Sequence, residues 1–162
     1  MICAAKDKVD GREADGRIKS DLLAINVCAL PSHEKGLPGY IGLYIGMPVV
    51  LRLSNVSTEL RVANGSQGTV VHIETEVMAD HLVFATCVLA FFPESPVQLS
   101  GLPRGVFPIL PLDWKFNTSI IDESGLKRVI SVSRSQIPLQ PAFAVTGHFA
   151  QGKTLPKVLV DL

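Results

Sequence analysis

From Pro48 onward the chain is a succession of short β-branched and aromatic runs, each cut off by glycine, proline, asparagine or serine. The runs are "PVVLRLS", "GTVVHIET", "LVFATCVLAFF", "GVFPILPLDWKF" and "KRVISVSR". Valine, isoleucine and threonine are stiff at χ1 and pack well on a pleated surface, and the punctuation leaves no window long enough for an extended helix. The pattern therefore predicts short antiparallel strands closing into a small barrel. "NGSQG" (Asn64 to Gly68) offers an asparagine and two glycines for positive φ, which suits a tight reversal entering a strand. Upstream, Ser20 is placed to cap a short helix carrying Leu22, Leu23, Ile25 and Cys28 near one face and ending before Pro31. The opening "MICAAKDKVDGREADGR" reads as a polar stretch, and "HEKGLPGYIGLYIGMP" as a Gly/Pro-punctuated connector.

At 162 residues with 47% hydrophobic content, the chain has enough apolar material for one packed core. No run reaches the roughly 18 apolar residues of a membrane helix, and the early charges fit neither a secretory signal nor a transit peptide, so no membrane partner and an intracellular address are expected, with the nucleus as one option. Cys3, Cys28 and Cys87 are odd in number and widely spaced, which favours neither a disulfide nor a metal site; Cys87, inside "FATCVLAFF", reads as a small hydrophobe. The sequons at Asn55, Asn64 and Asn117 read as turn chemistry. Net charge is zero, yet residues 63–100 hold four acids and no Lys or Arg, while residues 101–162 hold seven bases against four acids. That bias is too mild to argue for nucleic acid by itself.

The final segment has a different grammar. "PAFAVT" is a continuous apolar run of buried-strand type, "KVLVDL" is another, and between them lies "GHFAQGKT" (Gly147 to Thr154). Its letters match the phosphate-loop pattern G-x-x-x-x-G-K-[ST], whose backbone N–H groups and following helix hold an anion. Here Pro156 comes two residues after Thr154 and only eight residues follow it, so a long helix is not expected. Asp161, the nearest candidate for a metal carboxylate on a second strand, is seven residues away, too close for a crossover.

Read with its surroundings, "QIPLQPAFAVTGHFAQGKTLPKVLVDL" (Gln136 to Leu162) resembles the late motif block of Pif1-type superfamily 1 DNA helicases, in particular the helicase-like genes of Helitron transposons and their fungal relatives. That block has the form T-x-H-K-S-Q-G-x-T. "LPGYIGLYIGMPVVLRLSNVSTELRVANGSQGTVVHI" (Leu37 to Ile73) is similar to the family's G-M-P-V-x-L-x-x-N … N-G-x-x-G-x-V segment, and "FPILPLDWKF" and "VSRSQIPLQPAF" to the stretch between the two. The resemblance covers about Leu37 to Leu162. It implies that Thr146 and His148 contact the backbone of single-stranded DNA, with Lys153 beside them, and that Gln151, Gly152 and Thr154 face the nucleotide cleft. Thr hydroxyl, His N–H and exposed backbone N–H are all phosphate donors. Phe149 and Ala150 depart from the family's Lys-Ser; Ala150 and Lys153 match a fungal wording, T-G-H-S-A-Q-G-K-T, and Phe149 matches neither.

The resemblance implies a mixed α/β, mostly β chain: an incomplete second RecA-like domain (1–46 and 136–162) with an inserted SH3-like β-barrel (47–135). The complete family protein uses ATP and Mg to move 5′ to 3′ on single-stranded DNA and unwind duplexes. Its first motor domain would precede Met1 and its arginine-finger motif would follow Leu162, so this chain is expected to be a C-terminal fragment with no catalytic residues, no metal site and no cofactor of its own. Hydrolysis needs the phosphate cradle, the metal carboxylate and the arginine clamp together. Three rivals stay open: a non-catalytic module binding nucleic acid or protein, a decayed transposon-derived frame, and an autonomous P-loop NTPase.

Overall fold

Period-two alternation decides which side of each strand meets the core. The computed structural model describes residues 1–14, 16–25, 36–53, 56–57, 59–121 and 125–143. Among these residues the chain is mostly β, with eleven strands, one helix and three antiparallel sheets. The expected class holds at that level.

Three short strands, β1 (Ile2–Ala4), β2 (Lys6–Val9) and β3 (Arg12–Glu13), occupy the opening stretch that reads as merely polar. Its alternation was masked by charge, since Lys6 and Lys8 face outward while Asp7 is buried. The helix α1 (Gly16–Ala24) starts four residues before Ser20, which is an exposed interior residue rather than a cap. Ile18 and Leu22, spaced i,i+4, both pack on the same cluster and set the helix's register. Cys28 and Pro31 lie outside the described residues. Within the Gly/Pro connector, β4 (Tyr40–Gly42) pairs with β1, Ala4 opposite Tyr40.

The five runs after Pro48 give six strands. They are β5 (Pro48–Leu51), β6 (Gln67–Val77), β7 (Val83–Phe91), β8 (Val106–Ile109), β9 (Leu112–Ile121) and β10 (Lys127–Gln136), and β11 (Leu139–Pro141) follows. "GVFPILPLDWKF" is two strands in two different sheets, because Pro111 has no N–H to continue the ladder and the chain changes sheet there. Asn117 sits in mid-strand opposite Ser131 and is not a turn residue.

One sheet has the order β3-β2-β10-β9 and another the order β11-β5-β6-β7-β8. Among the described residues the second sheet stays open, with β8 and β11 as its edges, so the closed barrel expected from the strand spacing is not formed there. Its apolar core joins Leu43, Met47, Val49, Leu51, Val88, Phe92, Phe107 and Ile109 to Ile137 and Leu139. The four-stranded sheet lays Phe116, Ile130 and Val132 on Leu22 of α1.

"NGSQG" does reverse the chain into β6, but its two glycines serve different ends. Gly65 has φ 91°, a region costly to other residues, and Asn64 accepts a 3.1 Å hydrogen bond from Leu53 N–H. Gly68 lies within β6, where a Cβ would fall 2.7 Å from the Phe91 carbonyl oxygen and 3.0 Å from the Phe92 ring. It is there for close approach, not for φ.

Candidate nucleic-acid interface

All six residues expected to contact DNA or face a nucleotide, Thr146, His148, Gln151, Gly152, Lys153 and Thr154, lie outside the described residues, as does Phe149. What is described is the framework leading to them, up to Phe143.

That framework begins with an ion pair inside the protein. Along β10, Ile130, Val132, Arg134 and Gln136 share one face, so Arg134 is carried inward with the aliphatic residues and is fully buried. Its Nε and Nη2 donate to the two carboxylate oxygens of Asp7 at 2.7 Å each. Nη2 also donates to Leu22 O at 2.5 Å, and Nη1 to Leu37 O at 3.3 Å and Ile25 O at 3.4 Å. The guanidinium's five N–H groups are thus all directed at acceptors. Leu22 O and Ile25 O lie at the C-terminal end of α1, where carbonyls attract a cation; each also accepts a backbone hydrogen bond, from Ile25 N–H at 3.1 Å and Gly39 N–H at 3.2 Å. The guanidinium carbon lies 5.2 Å from the Phe116 ring centre and 5.9 Å from that of Trp114. One side chain therefore joins β10, β2, the end of α1 and the chain at Leu37. Such a charge survives burial only because every part of it is paired.

Just past Arg134 the chain is held by Gln136, also buried, whose Nε2 donates to Pro38 O at 3.4 Å and whose Oε1 accepts from Ile137 N–H at 3.0 Å. Ile137 and Leu139 are fully buried, and β11 then pairs with β5: Leu139 opposite Leu51, Gln140 opposite Val50, Pro141 opposite Val49. Ala142 N–H donates to Pro48 O at 2.9 Å. This ladder joins the two blocks that carry the family resemblance, Leu37–Ile73 and Gln136–Leu162, as neighbouring strands although some 90 residues separate them in sequence.

"PAFAVT" is not a uniformly buried run over its described part. Pro141 and Phe143 are exposed, Phe143 at 64%. Its ring lies nearly parallel to that of Tyr44, 6.3 Å away at an interplanar angle of 15°. Nothing in the apolar pattern marked the pair, because Tyr44 was read within a connector.

The two described cysteines, Cys3 and Cys87, are free thiols. Burial pushes the Cys3 thiol up, offset in part by the nearby N-terminal ammonium, and burial beside Glu74 pushes Cys87 up, so neither is a ready thiolate. No cluster of metal-ligating side chains occurs among the described residues, and no helix among them is long and apolar enough to cross a membrane.

Comparison with known proteins finds this chain similar to Pif1-type DNA helicases. The Pif1 helicase of Bacteroides in complex with ADP-AlF3 and ssDNA superposes over 97% of this chain with a TM-score of 0.56 at 16% identity, and the same organism's Pif1 bound to ssDNA over 79% with a TM-score of 0.50 at 19% identity. In sequence, the ATP-dependent DNA helicase PIF6 of Trypanosoma brucei brucei is 33% identical over 129 residues, 80% of this chain. No family model matches the chain. The chain is thus similar in sequence to the trypanosomal helicase and in fold to the Bacteroides proteins. The chain spans 14% of the trypanosomal helicase and 27% and 25% of the two Bacteroides chains.

Proposed function

We propose that the chain is a piece of a Pif1-type ATP-dependent 5′ to 3′ DNA helicase, of the Helitron-like branch, in which it supplies single-stranded DNA contacts and the nucleotide-facing edge of the second motor domain. The observation that carries this reading is the β5–β11 ladder, which joins the two family-like blocks as neighbouring strands and ends a few residues before "TGHFAQGKT" in sequence. In this reading Thr146, His148 and Lys153 bind the DNA backbone, and Gln151, Gly152 and Thr154 face the nucleotide. The family's architecture, a second RecA-like layer carrying an SH3-like insert, belongs to the same proposal and is supported by the 97% superposition.

The framework suits a coupling element. A motif that senses nucleotide on one side and DNA on the other must start from a fixed point, and the described chain before it is held up to Ala142 by the apolar sheet and the Arg134 knot. ATP and Mg are assigned to the complete helicase. The Bacteroides protein is the one whose structure holds ADP-AlF3.

The test is fluorescence anisotropy of this chain with a labelled single-stranded oligonucleotide over a salt series. Binding should weaken as salt rises, and Lys153→Ala should flatten the logarithmic salt slope by about 0.7, the value for one phosphate contact on a single strand. His148→Ala should weaken binding as well. Binding indifferent to both substitutions would instead favour a non-catalytic module acting through another surface.

A further inference from the structure

We propose that Tyr44 and Phe143 form a stacking platform for a base of the bound single strand, a site separate from the phosphate-contacting motif; the proposal rests on the single-strand reading given above. Aromatic rings ordinarily bury most of their surface. These two are 51% and 64% exposed, yet they lie within 15° of parallel. They come from segments almost 100 residues apart, and each is fixed by its backbone. Tyr44 and exposed Ile45 sit in the turn between β4 and β5, bracketed by buried Leu43 and Met47; the Tyr44 carbonyl accepts from Met47 N–H at 3.2 Å, and Gly46 N–H donates to Val70 O at 2.8 Å. Phe143 follows directly on the Ala142-to-Pro48 hydrogen bond that ends the β11–β5 ladder. The backbone on either side of the pair is therefore held, and the contact between the rings keeps them near parallel, which lowers the ordering needed when a ligand arrives.

A flat, uncharged, exposed π-surface held this way suits a planar heterocycle, and every base has a π-face, so the contact would be tolerant of sequence. Phe143 is also three residues from Thr146, a span of at most about 10 Å. A base on the platform and a phosphate at the motif can thus belong to adjacent or nearly adjacent nucleotides. The platform would add grip on the bases to a contact that otherwise sees only the backbone.

The experiment compares the 162-residue chain's affinity for a labelled oligothymidylate of about 12 nucleotides with its affinity for an abasic strand of the same length, which keeps the phosphates and lacks the bases. The intact chain should bind the abasic strand about tenfold or more weakly, the factor expected from the loss of one stacked base. Tyr44→Ala combined with Phe143→Ala should lose that same factor on oligothymidylate and nothing on the abasic strand, whose unchanged binding shows that the variant is folded. Tyr44→Phe and Phe143→Tyr keep the rings and should keep the affinity. Equal affinity of the intact chain for both strands, or a double variant that still discriminates between them, overturns the platform while leaving the single-strand reading intact, and points to an apolar protein partner for the rings. Failure of the intact chain to bind either strand overturns both.

Discussion

The two larger sheets solve the same problem in opposite ways. The strands of the five-stranded sheet bury no charged side chain among the described residues, whereas the four-stranded sheet buries a charge and surrounds it with a carboxylate, three backbone carbonyls and two aromatic rings. Apolar packing tolerates change of shape at moderate cost, while a paired charge depends on each of its partners. The apolar sheet is thus a general support, and the polar knot a specific junction that joins strands, helix end and loop in one arrangement. Two ion pairs connect the sheets on the outside, Lys6 with Glu76 of β6 and Lys19 of α1 with Asp80 beyond β6.

The largest effect should come from breaking the knot. Arg134→Ala leaves the Asp7 carboxylate buried without its partner, and should cost about 3–5 kcal/mol in denaturant unfolding. Trp114, the chain's one tryptophan, stacks on Phe116 at 5.9 Å beside Arg134, so its fluorescence reports on this sheet. Its transition should move before the far-ultraviolet dichroism of the rest. Replacing both partners, Asp7→Leu with Arg134→Met, should recover much of the loss. A double variant as unstable as the single one would show that the charge itself, and not its pairing, organises the junction.

An intermediate effect is expected from Gly68→Ala in the apolar sheet. The added methyl would meet the Phe91 backbone oxygen, which cannot swing aside as a side chain can, and should cost about 1–3 kcal/mol. The dichroism midpoint should fall with the tryptophan signal following it rather than leading. If Trp114 responds first here too, the two sheets unfold as one unit and the contrast between them is only structural.

The smallest effect belongs to the outer pairs. Hydrogen bonding from Lys19 holds the Asp80 carboxyl below its usual range, so the folded state binds fewer protons there than the unfolded state. Its contribution is therefore present above the ordinary carboxylate range and is lost as pH falls through the lowered value. Asp80 is exposed to solvent, and Lys19→Ala should shift the midpoint barely at neutral pH and not at all in high salt or acid. A large, salt-resistant shift would mean that the pair is a true hinge between the sheets.

Much of this was legible in the letters. The runs located β5, β6, β7 and β10 because they are rich in β-branched and aromatic residues bounded by turn formers, whereas "GVFPILPLDWKF" reads as one run and its division at Pro111 between two sheets depends on tertiary pairing. The strands at Ile2–Val9 were hidden because lysines on the outward positions made the stretch look uniformly polar. The knot left one trace: in "VISVSRSQI" Arg134 falls on the face of Ile130 and Val132, the wrong side for an unpaired cation. Its partner, more than 120 residues away, left none. The Tyr44–Phe143 pair was equally invisible, since only the β5–β11 ladder brings the two rings together.

The strands at the two margins of the five-stranded sheet share one residue type. β8 contains Pro108 and β11 ends in Pro141, and a proline cannot donate to a further strand. A sheet so bordered offers a poor template for a second copy of itself. Concentrated solutions of the chain should accordingly resist edge-to-edge stacking and strand exchange, and associations made by this half of the molecule should run through side chains on its faces and turns.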